Sequence, residues 1–136
     1  MRLSVADLIR EIMNNAGLSD LVDPELDDHS AVTFSMKDGM PSVNILNDEN
    51  NEVWIWATLG EINLNSLIYC SAELLPIMLM NDEQVFVLGQ PCLYLQDDTL
   101  ILRAMMKEEH LYSADAFINC LNSFLLLVKK YTDVLI

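Results

Sequence analysis

Basic residues are scarce in this chain: seven lysines and arginines stand against 21 aspartates and glutamates in 136 residues, a formal net charge of −14. So acidic a surface is repelled by phosphate backbones and anionic lipid headgroups, which argues against nucleic-acid and membrane-surface binding. The four glycines stand singly and form neither a phosphate-cradling loop nor a dinucleotide fingerprint. The three cysteines, Cys70, Cys92 and Cys120, include no C-x-x-C pair, and each has apolar neighbours in sequence. They read as inert buried thiols in a reducing cytosol. Of the two histidines, His110 has only Glu108 and Glu109 beside it and no second ligand at a zinc spacing. Long hydrophobic runs are missing too: the longest apolar stretch, 64–80, is interrupted by Asn65, Ser66, Ser71, Glu73 and Pro76 before it could span a bilayer. The N-terminal MRLSVADLIREIMNN carries Asp7 and Glu11 within its apolar periodicity, unlike a signal peptide. The expectation is a cytoplasmic protein without metal or cofactor.

What is abundant is apolar surface: 52% of residues are hydrophobic and eight are methionine. One domain of this length buries roughly two-thirds of the surface its unfolded chain exposes and needs no staples. The first helix is expected to begin at Ser4 as N-cap, with Leu3 stapled to Leu8. It presents the stripe Val5, Leu8, Ile9, Ile12, Met13 and Ala16, and ends at Gly17. An acidic loop from Leu18 to Asp28 containing Pro24 leads to strands near 30–35, 42–46 and 52–59, joined by turns at Lys37, Asp38 and Gly39 and at NDENN, 47–51. A second helix, near 63–80, is apolar around most of its circumference and carries Pro76, which must kink or break it. After a loose segment through Gly89, PCLYLQDDTLILRAMM reads as a hairpin turning at Asp97 and Asp98, although no glycine marks the turn. Ser113 then caps a last helix carrying Phe117, Cys120, Leu121, Phe124, Leu125 and Val128. The order α-β-β-β-α-β-β-α predicts an α+β fold with a mostly antiparallel five-stranded sheet and three helices.

No catalytic constellation emerges. Asp27, Asp28, His29 and Ser30 are adjacent, but neighbours along a chain rarely converge on one substrate, so they read as groups that satisfy backbone atoms where the chain turns into a strand. Asp97 with Asp98, and Asp48 with Glu49 and Glu52, lack the alternating oxygen spacing of a calcium loop and read as solvated turns.

The segment VWIWA, 53–57, contains no polar residue, whereas a half-exposed strand alternates. Val53, Ile55 and Ala57 must face one layer and Trp54 and Trp56 another. Two arrangements answer this. Either the first and last helices cover one sheet face and the second helix the other, or other chains cover what this one leaves open, with the second helix pairing in a symmetric dimer.

DDHSAVTFS at 27–35, MPSVNI at 40–45 and VWIWATLG at 53–60 resemble the type III secretion chaperones of the InvB and SpaK kind, the class IB chaperones that serve several effectors. The resemblance is densest over 27–60, and the order of elements extends it over the whole chain. It implies a cytoplasmic homodimer without catalytic activity. Such a dimer binds the N-terminal segment of type III secreted effector proteins in extended form and presents it to the secretion ATPase or sorting complex. It also implies a dimer interface on the second helix, at Leu67, Ile68, Leu74, Leu75 and Met78. Effector-binding residues would lie on the first helix and sheet, at Leu8, Ile12, Val32, Phe34, Val43, Ile45, Trp54 and Trp56. A non-enzymatic adaptor that binds a folded protein partner is the alternative.

Overall fold

Ser4 starts the first helix as its residue type predicts: its Oγ accepts the Asp7 amide at 3.1 Å, and α1 runs over Val5–Asn15. Gly17, at φ 74°, follows in the left-handed region where a side chain would be strained. The computed structural model describes all residues except 1, 19, 21–24, 28, 37–38, 81–83, 88–90 and 136. Most of the loop expected at 18–28, the turn at Lys37 and Asp38, and the segment leading through Gly89 therefore lie at least partly outside the described residues.

The five strands are β1 (Val32–Phe34), β2 (Val43–Asn47), β3 (Val53–Glu61), β4 (Cys92–Gln96) and β5 (Thr99–Met105). They form one antiparallel sheet in the order β1-β2-β3-β5-β4, so the expected meander and hairpin are both present. The hairpin between β4 and β5 turns on Asp97 and Asp98 with φ of 51° and 64°. Two consecutive positive φ values match the right-handed strand twist, and aspartate tolerates this region better than most residues, so the turn closes without glycine. β3 outruns its expected end through an irregularity between Thr58 and Gly60.

Strand pairing sorts the side chains into two faces. Val32, Ile45, Ile55 and Ala104 share one rung; Phe34, Val43, Ala57, Leu102 and Leu93 share another on the same face. This inner face meets α1 and the last helix, α4 (Ala114–Val134), in a core that includes Leu8, Ile9, Phe117, Phe124 and Val128. Ser113 caps α4 by accepting the Ala116 amide at 3.1 Å. A 3-10 turn at Glu108–Leu111 precedes it and inserts Leu111 into the core.

The expected second helix is two helices, α2 (Leu64–Tyr69) and α3 (Ser71–Leu79). Asn63 caps α2 through a 2.8 Å bond from the Ser66 amide. The break falls at Cys70, not at Pro76, which lies inside α3. At the break Cys70 Sγ approaches the Ser66 carbonyl at 3.1 Å and Ser71 Oγ donates to the Ile68 carbonyl at 2.8 Å. Side chains that bond back to the preceding turn compete with its amides and bend helices. The break turns Cys70 and Leu74 into the core and leaves most of the remaining apolar residues outward.

Candidate functional site

Alternation on β3 places Val53, Ile55 and Ala57 in the core and leaves Trp54 and Trp56 half-buried on the other face. Trp56 belongs to a rung that crosses the whole sheet: Thr33, Asn44, Trp56, Arg103 and Cys92. Leu46, Trp54 and Met105 form the rung on one side, and Thr58, Ile101 and Tyr94 the rung on the other. The core gathers residues of α1, α3 and α4 with the inner face, so the arrangement in which the second helix covers the outer face is not the one adopted.

Trp54 is held from two directions. Its Nε1 donates to Asp48 Oδ2 at 2.9 Å, and the Arg103 guanidinium stacks 4.0 Å from its ring centroid. Asp48 is itself fixed, because its Oδ1 accepts the Asn50 and Glu52 amides, each at 2.9 Å. The Glu52 amide, and then the Trp54 indole, hold the Asp48 carboxyl below its ordinary range. Behind the same turn, buried Asn47 donates to Asn51 Oδ1 at 2.8 Å and accepts from Arg2 at 3.2 Å.

Asp27, His29 and Ser30 join this framework and do not form a catalytic unit. Asp27 Oδ1 accepts the His29 amide at 2.9 Å and the Ser30 hydroxyl at 3.1 Å, while His29 Nδ1 lies 3.0 Å from the Asn47 carbonyl. The hydroxyl donates to the Asp27 carboxylate and the imidazole meets backbone, so the described residues do not set His29 against the serine as a nucleophile–imidazole pair. The His29 amide, followed by the Ser30 hydroxyl, lowers the Asp27 pKa. Asp28 lies outside the described residues.

A second apolar surface lies on the inner side, near the β4 edge. Leu67, Leu74, Leu75 and Met78 face Leu93, Leu95 and Leu100 across an open groove of about 520 Å³. Beyond it α2 and α3 leave Ile68 62% exposed and Leu79 75% exposed.

The residues singled out from sequence thus separate. Trp54 and Trp56 lie on the outer face; Leu67, Leu75 and Met78 line the groove, and Ile68 is exposed beside it. Ile12, Val32 and Phe34 are partly buried against the core. Leu8, Val43 and Ile45 are at most 1% exposed, and Leu74 is 6% exposed within the core. These four are core residues with almost no area that a partner could reach. Cys92 is exposed, contrary to the buried thiol expected, because alternation on β4 puts it on the outer face; Cys70 and Cys120 are buried. Burial pushes the Cys120 thiol up to about 12. Asp48, expected only as part of a solvated turn, also accepts the Trp54 indole hydrogen, and Arg103 was not singled out from sequence. The signal for Arg103 was a single charge in TLILRAM, on the face opposite Leu102 and Ala104.

The sequence profile of the Invasion protein B family matches residues 17–97, from the end of α1 through β4. The chain belongs to this family. Two relatives, the "Surface presentation of antigens protein SpaK" of Salmonella typhimurium and that of Salmonella typhi, are each 28% identical to it over 122 residues, covering 90% of this chain and 88% of theirs. The family match contains β1, β2, β3, α2 and α3, so this family member carries both the Trp54 turn and most of the groove within the matched span.

Among the described residues no helix is long and apolar enough to cross a membrane.

Proposed function

We propose that this Invasion protein B family member is a type III secretion chaperone of the class IB kind. The whole chain acts as one domain, works as a cytoplasmic homodimer without catalytic activity, and binds the N-terminal segment of one or more secreted effectors in extended form. It keeps that segment soluble and competent for export, and delivers it to the secretion ATPase or sorting complex. Family membership and the similarity to two proteins named for the surface presentation of antigens support the tie to type III secretion.

One observation carries the reading: a five-stranded sheet whose core helices pack on one face, with aromatic residues on the opposite face and a leucine-lined groove beside exposed helices. An exposed large apolar side chain forfeits about 1.5–3 kcal/mol relative to burial, so a contiguous set of them favours contact with another chain. The groove side suits a twin subunit, with Leu67, Ile68, Leu75 and Met78 in the contact and Leu74 bracing them. The sheet suits a client: Trp54 and Trp56 offer aromatic contacts, Ile12, Val32 and Phe34 add partly exposed apolar area, and Leu8, Val43 and Ile45 hold the surface in shape. Backbone pairing at a sheet edge gives affinity without demanding one client sequence, which fits a chaperone with several clients.

Coexpression with N-terminal effector fragments, followed by size-exclusion chromatography with light scattering, tests this. The expected product is two copies of this chain with a bound unfolded fragment. A monomer that retains only intact folded partners would overturn the reading in favour of an adaptor.

A further inference from the structure

Arg103 is an unusual cation for so acidic a chain. On its own rung and the two flanking rungs of the outer face it is the one charged residue; Glu61 lies on the next rung, at the far end. It is exposed, and among the described residues no carboxylate lies within ion-pair distance of it. The nearby Asp48 spends both oxygens on the Asn50 and Glu52 amides and the Trp54 indole. The guanidinium instead lies over Trp54 at 4.0 Å. Contact with the ring engages a face of the guanidinium and none of its N–H donors, which form the planar fork that matches a carboxylate.

From this charge complementarity we infer that Arg103 is a specificity-determining residue that binds an aspartate or glutamate of the client segment. The inference rests on the proposed role as a binder of extended segments and gives that segment a pattern. In an extended chain, residues two apart project to the same side and are separated by roughly 6.8 Å, the spacing of successive rungs along β5. A client lying on the outer face along β5 with its carboxylate on Arg103 sets its neighbours two positions away over Met105 and Trp54 on one side and over the exposed ring of Tyr94 on the other. The pattern is apolar-x-acidic-x-apolar. Stacking on Trp54 holds the guanidinium in place before the client arrives, which lowers the ordering cost of the contact. The general acidity of the chaperone does not oppose a single carboxylate strongly, because charges beyond about 8 Å are screened at physiological salt. It does oppose a run of acids, so this face would select one acidic residue in an otherwise neutral or basic segment.

Selection of displayed random 12-residue peptides against the full chain and its R103Q and R103E variants, each verified as folded by circular dichroism, tests the assignment. The wild type is expected to enrich one acidic position flanked by apolar ones. Changing that acid to its amide should weaken binding to the wild type by about tenfold to a hundredfold, the range for a hydrogen bond to a charged group, and leave binding to R103Q nearly unchanged. R103E should enrich lysine or arginine at the same position, and R103K should keep the acidic preference with reduced affinity. Peptides that bind all variants equally, or that carry no acidic position, overturn the assignment and leave the chaperone reading intact. If R103E instead changes the oligomeric state, the face is a subunit contact and the assignment fails. Should the wild type enrich no peptide over an unrelated acidic protein, the chaperone reading falls as well.

Discussion

The helices α4 and α3 make an instructive pair. Along α4 the buried residues Ala114, Phe117, Cys120, Phe124, Val128 and Tyr131 recur every three or four positions and so occupy one face. In α3 the apolar residues Leu74, Leu75, Ile77, Met78 and Leu79 are nearly consecutive and spread around the cylinder, and Leu74 is the one that is buried. Periodicity, more than apolar content, decides how much of a helix its own chain can cover. The surplus on α3 is the surface that the proposed twin subunit would cover.

The largest effect that sharpens this contrast should come from Phe117→Ala in α4. Removing a fully buried ring is expected to cost about 3–5 kcal/mol, read as a lowered urea midpoint. Leu75→Ser in α3 should instead weaken self-association by about 2–3 kcal/mol per subunit, read by light scattering across a dilution series. Its effect on the unfolding of one subunit should stay within about 0.5 kcal/mol. Equal damage to subunit stability from both substitutions would break the comparison. Ser113→Ala deletes the cap of α4 and should lower stability by about 1 kcal/mol in the same urea assay, whereas Asn63→Ala, which deletes the cap of α2, should cost less because α2 buries no residue of its own.

The smallest expected effect concerns acid. The folded-state pKa of Asp48 lies below its ordinary 3.8, so the unfolded chain takes up the proton first. Its contribution to stability is complete above that ordinary value and fades as pH falls through the lowered one. Asp48→Asn should flatten this acid limb of an unfolding profile followed by tryptophan emission, because Asp48 also accepts the Trp54 indole hydrogen.

Much of the fold was legible because it depends on local rules. Caps at Ser4 and Ser113, the left-handed stop at Gly17, and the NDENN turn between two apolar segments placed these elements to within a few residues. The break at Cys70 was not legible. Pro76 offered the stronger breaking signal, while the actual bend depends on Cys70 and Ser71 bonding back to the preceding turn. The site was legible in part. Alternation separated Trp54 and Trp56 from Val53, Ile55 and Ala57, but it gave no face to Leu8, Val43 and Ile45 until strand order and helix placement were known. Arg103 stacks on a tryptophan one strand away in space and 49 positions away in sequence, a pairing only the β3–β5 register reveals.

The exposed sulfur on β4 has a practical consequence. Cys92 lies directly across from Arg103, while Cys70 and Cys120 are shielded. Maleimide chemistry can therefore attach a dye at the edge of the aromatic face without any engineered thiol, giving a ready-made optical sensor for whatever settles there.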